Sequence, residues 1–414
     1  MVWSALQNAR SANLDLANIW LDIANAYGSI PHKLMIFALK RYGVPDKWIS
    51  LISNYYAGLW SRCFSPSSPS GWHHHLKGIF TGCTLSIILF LVGMNIIIEF
   101  VSLSKAPPVV SPSTHPLPLI RAFMDDVNLM SSTIQGTQDL LSRCLTALKW
   151  AGMSFRADKS RSIIIKKGRS MNSTPFSSSE SSNPSDFSGY IPSIHAMPIK
   201  FLGRVINGSL SDRNSVQELK DKLSEGLKII HCSPHSPSQK LWILQHLLLP
   251  RIQWPLMIYE ISSSVALSLE QTVSKFIRTW LKLPKMMSSI ALYSKHSPCP
   301  LPIKSISSIF KAAKISGHLL LRDSHDPSIS SAPPVLKAGH WSVEKCVKVA
   351  EAEIKFQNTI GHTQHSTAGL GTHKKDPIPN KVSHPYRHLV SSTALSIDEE
   401  KSLAEAVQLH VQGQ

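Results

Sequence analysis

Cysteine is sparse and scattered through these 414 residues. Cys63, Cys83, Cys144, Cys232, Cys299 and Cys346 form no C-x-x-C pair, so the spacing suggests neither a zinc knuckle nor a disulfide framework, and a reducing compartment is the default reading. Residues 1–15 lack the basic stretch followed by an apolar run that a secretory signal needs, and export is not expected. Acidic residues are also short in supply, 26 against 43 Lys and Arg, which leaves a formal charge of +17. That imbalance suits a polyanionic partner, with nucleic acid the first candidate. After residue 330 there are 9 basic and 8 acidic side chains, so the surplus lies upstream. Long apolar runs are limited to Leu85–Phe100, which falls short of the roughly 20 residues of a membrane span and contains Asn95 and Glu99. It reads as a buried helix, and no membrane is expected.

What remains is ample for folding. A hydrophobic share of 43% supports two or three domains with real cores. An apolar strand ending at Asp22 leads through Gly28 to two helical patterns, 34–42 and 46–56, the first closed by Gly43-Val44-Pro45. His73-His74-His75 sits in a Ser-, Pro- and His-rich loop; consecutive residues of an extended segment cannot all face one ion, so a metal site is disfavoured. Past a proline-rich connection, Leu119–Phe123 and Val127–Met130 read as a strand and its return with Asp125-Asp126 at the turn, and 135–152 as an amphipathic helix. Strands are expected over 155–165 and 197–206, with a Ser-rich insertion of doubtful order at 171–196 between them. Helices follow at 212–230, 238–249 and 265–283; beyond 331 only short helical patterns stand out.

Three carboxylates draw attention because each ends an apolar strand: Asp22 after Ile19-Trp20-Leu21, and Asp125 and Asp126 after Ala122-Phe123-Met124. Neighbouring strands lie about 4.8 Å apart, so adjacent strands carrying Asp22 and Asp125 could together hold a pair of cations about 3.5–4 Å apart. Asp-Asp is equally an ordinary turn dipeptide. Order along the chain separates the two readings. Leu21-Asp22-Ile23-Ala24-Asn25-Ala26-Tyr27-Gly28 with Pro31-His32 resembles motif A of the reverse transcriptases of LINE-type (non-LTR) retrotransposons. Gly78–Ser86 resembles motif B, Phe123-Met124-Asp125-Asp126 motif C, Trp150-Ala151-Gly152-Met153 with Ala157-Asp158-Lys159-Ser160 motif D, and Phe201-Leu202-Gly203 motif E.

The resemblance implies an α+β fold: a polymerase palm of antiparallel sheet and packed helices over 1–206, a helical thumb and connection over 207–330, and a poorly ordered tail over 331–414. It implies an RNA-directed DNA polymerase that transfers a nucleotide from dNTP to a primer 3′-OH on an RNA template with two Mg²⁺ or Mn²⁺ ions. Asp22, Asp125 and Asp126 would be the catalytic metal ligands. Tyr27 would lie under the sugar, Gly82 would let the backbone approach the template base pair, and Lys159 would stand near the departing pyrophosphate. Tyr27 also suits a core aromatic, and Lys159 a solvated strand end. An intracellular setting follows, the nucleus or a cytoplasmic ribonucleoprotein. Thr81 and Ile87 stand where the family pattern has Gln and Pro. The short stretch before Asp22 implies that the fingers upstream of motif A are missing and that extension is weak. Two rival readings are a non-catalytic nucleic-acid-binding relic of such an element and a two-metal nuclease or integrase.

Overall fold

The computed structural model describes residues 1–65, 68, 70–110, 115–173, 176–177, 189–293, 301, 303–330, 341–360, 363–366, 369–372 and 378–411. Two compact units divide it, Met1–Leu210 and Ser211–Gln414.

In the first unit, α1 (Val2–Ser11) leads into β1 (Leu16–Asp22), followed by the single turn α2 (Ala26–Ser29), α3 (His32–Arg41) and α4 (Asp46–Ala57). A two-residue ladder, β2 (Trp60–Ser61) with β3 (His73–His74), precedes α5 (Thr84–Ser102). Then come the hairpin β4 (Ile120–Phe123) and β5 (Asp126–Ser131), α6 (Ile134–Trp150), β6 (Arg161–Lys166), β7 (Arg169–Met171), and a second hairpin of β8 (Ile199–Phe201) and β9 (Arg204–Ile206). The single strand expected over 197–206 is therefore a hairpin, because Leu202 and Gly203 both take positive φ and reverse the chain.

Five strands form one antiparallel sheet in the order β4-β5-β1-β6-β7. Side chains alternate between the faces of a strand, and β1 uses both. Ala17, Ile19 and Leu21 point into the main core with α5 and α6, whereas Leu16 and Trp20 join a second cluster with Leu6 of α1, Ile163 and Ile165 of β6, and Ile206 of β9. Trp20 meets Phe201 at 6.4 Å between ring centroids. The central strand is thus buried on both faces and ends where cover on the second face runs out, at Asp22.

The helix α5 was expected to be buried, and the structure buries one side of it. Leu89, Phe90, Met94, Ile97 and Val101 face the core, while Leu85, Ile87, Ile88, Leu91 and Phe100 are exposed. By length and composition α5 could cross a membrane. The insertion at 171–196 lies partly outside the described residues, but its two ends are tied down. Phe176, Ile191 and Ile194 are fully buried, and the Ser162 amide donates to the Pro192 carbonyl at 2.9 Å. Three apolar residues in a Ser-rich stretch suffice to dock it.

The second unit is helical: α7 (Arg213–Cys232), α8 (Pro237–Ile243), a π turn over Leu244–Leu248, α9 (Leu249–Ile258), α10 (Ser263–Trp280), the short α11 (Ser289–Tyr293), α12 (Ile306–Arg322), the single turn α13 (Pro327–Ser330), α14 (Val343–Ile360) and α15 (His384–Val411). Pro250 does not stop the helix; it stands directly after the π turn, at the start of α9. The tail, expected to hold only short helices, carries α14 and α15, of 18 and 28 residues. Val343, Val347, Ala350 and Ile354 of α14 and Tyr386, Val390 and Ala394 of α15 form a cluster with Ile315 and Leu319 of α12. The Glu351 carboxylate accepts from Arg322 at 2.8 Å and from the Tyr386 hydroxyl at 2.7 Å. A narrow stripe at helical spacing is what a polar average composition conceals.

Candidate active site

Asp22 is the last residue of β1, and its direct partner across the ladder is Asp126, the first residue of β5. Opposed residues of an antiparallel pair project to the same face, here the one that carries Leu16 and Trp20 rather than the α5–α6 side. Phe123 pairs with Asp126, which leaves Met124 and Asp125 as a two-residue hairpin loop. Met124 has a φ of 57°, the positive value such tight loops demand, in a side chain that would normally avoid it. Asp125 is exposed in this loop, so the strand neighbour of Asp22 is Asp126 and not, as the spacing suggested, Asp125. Burial, then the charges of Asp125 and Asp22, hold the Asp126 carboxyl above the usual carboxylate range. Asp126 therefore feels both of the other acids.

The end of β1 is fixed by the loop before β6. Ser160 accepts a hydrogen bond from the Asp22 amide at 3.1 Å and donates to the Arg156 carbonyl at 2.7 Å, while the Arg156 amide donates to the Asp22 carbonyl at 2.8 Å. Arg156 was missed in the sequence. Its exposed guanidinium pairs with Asp158 at 3.0 Å, and its charge also senses Asp22. Lys159 is exposed, and its charge is felt at Asp158. Nothing in its contacts ties it to the three acids.

Tyr27 unites the two readings given to it. Its half-buried ring stacks on Phe90, 4.7 Å between centroids and 6° between planes, and its hydroxyl donates to Sδ of Met124 at 3.8 Å, at the tip of the acidic hairpin. The loop before α5 is laced to the turn that carries Tyr27: the Ile79 amide donates to the Tyr27 carbonyl and the Gly78 amide to the Ile30 carbonyl, each at 2.8 Å. His32 Nε2 lies 2.8 Å from the Gly78 carbonyl oxygen. Gly78, not singled out for a role in the sequence, has a φ of 85°, and a Cβ there would lie 2.7 Å from the Gly28 carbonyl oxygen. Gly82 has a φ of 90° with open space around it, and Thr81 and Ile87 are exposed nearby in sequence. The histidines of the 73–75 run are engaged structurally: His74 stacks on Trp60 at 4.5 Å, and His75 hydrogen-bonds Ser61 at 2.6 Å.

The sequence profile of the family described as reverse transcriptase (RNA-dependent DNA polymerase) matches residues 6–206, a span that contains every side chain of this site. Residues 6–206 belong to the reverse transcriptase family. Two curated relatives extend the likeness beyond the reverse transcriptase domain. The Pol polyprotein of the type-2 retrotransposable element R2DM of Drosophila melanogaster is 26% identical over 268 residues, 64% of this chain and 24% of its own length. The Pol polyprotein of the type-1 retrotransposable element R2 of Nasonia vitripennis is 24% identical over 271 residues, again 64% of this chain and 25% of its own length. The reverse transcriptase domain is thus of the LINE type, and the chain spans about a quarter of the length of these relatives. Among solved structures, a telomerase from Candida albicans in complex with a telomeric RNA fragment aligns with a TM-score of 0.33 and 12% identity, over 77% of this chain and 50% of that one.

Among the described residues, no three His, Cys, Asp or Glu side chains converge into a complete metal cage. An opposed carboxylate pair with a third acid one residue away nevertheless fits Mg²⁺. That ion keeps several waters and is commonly bound by one or two carboxylates plus substrate phosphates.

Proposed function

We propose that the chain is an RNA-directed DNA polymerase, in which Asp22, Asp125 and Asp126 hold two divalent cations that activate a primer 3′-hydroxyl and neutralise the dNTP phosphates. The observation that carries the proposal is the register that sets Asp22 against Asp126 at the open end of the sheet, with Asp125 in the adjoining loop. Phosphoryl transfer of this kind depends on positioning and charge neutralisation, which a rigid strand end provides. The RNA template, DNA primer and dNTPs are the partners that follow, inside the cell, in the nucleus or a cytoplasmic ribonucleoprotein. Template-directed primer extension tests the reading.

Two milder consequences are separable from turnover. Burial of Asp126, with the charges of Asp125 and Asp22 beside it, destabilises the metal-free fold. Because the folded pKa of Asp126 lies above its unfolded value, this group's contribution is absent below the ordinary carboxylate pKa and turns increasingly unfavourable as pH rises through the raised one. Mn²⁺ at about 100 times its Kd would add about 2.7 kcal/mol, several degrees in Tm. Asp22→Asn abolishes that increment, whereas Asp126→Asn diminishes it and raises the metal-free Tm. Calorimetry with and without Mn²⁺ checks both.

Sugar selection belongs to Tyr27 in this scheme. Truncation in Tyr27→Ala opens the space under the sugar and lowers the preference for dNTP over rNTP by about tenfold or more, roughly 1.4 kcal/mol of discrimination. Tyr27→Phe keeps the ring on Phe90 and leaves the preference unchanged. Paired kcat/KM values for dTTP and UTP on a poly(rA) template measure it, and an unaltered ratio in the alanine variant removes Tyr27 from the role.

A further inference from the structure

The helix that runs from α8 through the π turn into α9 has two contrasting sides. Leu241, Leu244, Leu248, Ile252 and Leu256 are buried in the core of the second unit. On the solvent side stand Trp242, 58% exposed, and Trp254, 49% exposed, with His246 between them and 4.9 Å from the Trp242 ring. Two half-exposed tryptophans on one helix are a costly surface for a protein to maintain without a partner.

The π turn decides whether they act together. An uninterrupted α-helix would rotate Trp254 about 120° away from Trp242, whereas a π turn absorbs one additional residue and leaves the two rings about 20° apart. They then lie on one side of the helix about 17 Å from each other along its axis, close to the length of five stacked nucleotides at about 3.4 Å each.

The charge around them fits a polyanion. No Asp or Glu occurs from Gly226 to Tyr259. Arg251 is exposed on the same helix, and Lys228 is exposed on α7, which packs against the π turn. Aromatic rings at nucleotide spacing beside exposed basic side chains, on a stretch of chain without Asp or Glu, are the features of a stacking platform for unpaired bases. A duplex keeps its bases stacked internally and offers them no face.

We infer that Trp242, His246 and Trp254 form a binding surface for unpaired RNA, holding about five nucleotides by base stacking. This rests on the polymerase reading, in which the strand is the uncopied part of the template. Its test requires neither metal nor turnover. Fluorescence anisotropy in EDTA compares a labelled 12-nucleotide oligo(U) with a 12-base-pair RNA–DNA hybrid, using the full chain and the Trp242→Ala/Trp254→Ala double variant. Expected is a loss of oligo(U) affinity of at least about tenfold, since each stacked base contributes about 1–3 kcal/mol, with hybrid affinity changed less than twofold. Trp242→Phe/Trp254→Phe, which keeps flat rings, retains most of the oligo(U) affinity. Retained hybrid binding also shows that the alanine variant is folded. Unchanged oligo(U) affinity in the alanine variant overturns the inference and leaves the face to a protein partner; an equal loss on both ligands overturns it as well. Because Asp125→Asn leaves this binding intact, failure here and failure of the polymerase reading are told apart.

Discussion

Asp22→Asn and Asp125→Asn are each expected to lower template-directed extension of an oligo(dT) primer on poly(rA) by on the order of a thousandfold, about 4 kcal/mol of transition-state stabilisation. Each exchange removes a negative charge where, in the proposed scheme, two cations sit, while the shape of the side chain is preserved. Asp126→Asn is expected to cost less. Its carboxyl is half buried and already held above the ordinary range by its neighbours, so it is the acid whose charge the site can most easily forgo. Single-nucleotide incorporation with Mg²⁺ and with Mn²⁺ ranks the three. If all three variants extend primers as fast as the parent chain, the carboxylates are not the metal ligands. A parent chain that is folded and binds the hybrid but adds no nucleotide supports the non-catalytic relic instead.

Replacement of Gly78 should injure the fold more than any other single change near the site. A Cβ at this position meets the Gly28 carbonyl oxygen at 2.7 Å and the Gly28 Cα at 2.9 Å, both backbone atoms that cannot rotate aside. The positive φ adds about 1–3 kcal/mol of strain for any other residue, and the forced separation about 1–3 kcal/mol more. For a unit of this size the total corresponds to a fall in Tm of roughly 5–20 °C. Gly82→Ala is the control, because its φ is equally positive but its Cβ points into open space. It should lose only the strain, about 1–3 kcal/mol, without the cost of the forced separation. Thermal denaturation of the two variants side by side checks the contrast, and equal losses would show that the close approach of the two loops is not what matters.

The contrast between these glycines also marks the limit of what the residue pattern revealed. α6 was legible from its 3.6-residue period, and β1 and the acidic hairpin from short apolar runs that stop at an acid. Which acid faces Asp22 was not legible. That depends on the loop holding two residues, and a shift of one position would exchange Asp126 for Asp125 on that face. Gly78 and Gly28 lie 50 positions apart, and nothing local in either announces that their backbones touch. Arg156 stood within a recognised motif, yet the hydrogen bonds that bring it to Asp22 run through Ser160 and main-chain atoms, which carry no pattern. The docking of Phe176 and Ile191 was hidden by the serines around them, and the full length of α14 and α15, seen only as short patterns near 342–356 and 396–412, by polar residues that dilute a narrow apolar stripe.

The position of β1 at the centre of the sheet has a further consequence, during synthesis. Its hydrogen-bonding partners lie far downstream: Asp22 pairs with Asp126, and Leu16 with Ile165. At roughly 5–20 residues per second of translation, an apolar segment with two unpaired edges leaves the ribosome several seconds before any strand exists to flank it. Pairing across such separations is intrinsically slow. The nascent polypeptide must therefore carry this strand unpaired through most of the making of the first unit. Chaperone demand and losses to aggregation should concentrate there, and a charged substitution at Ile19 would ease the wait only by ruining the core that the wait is for.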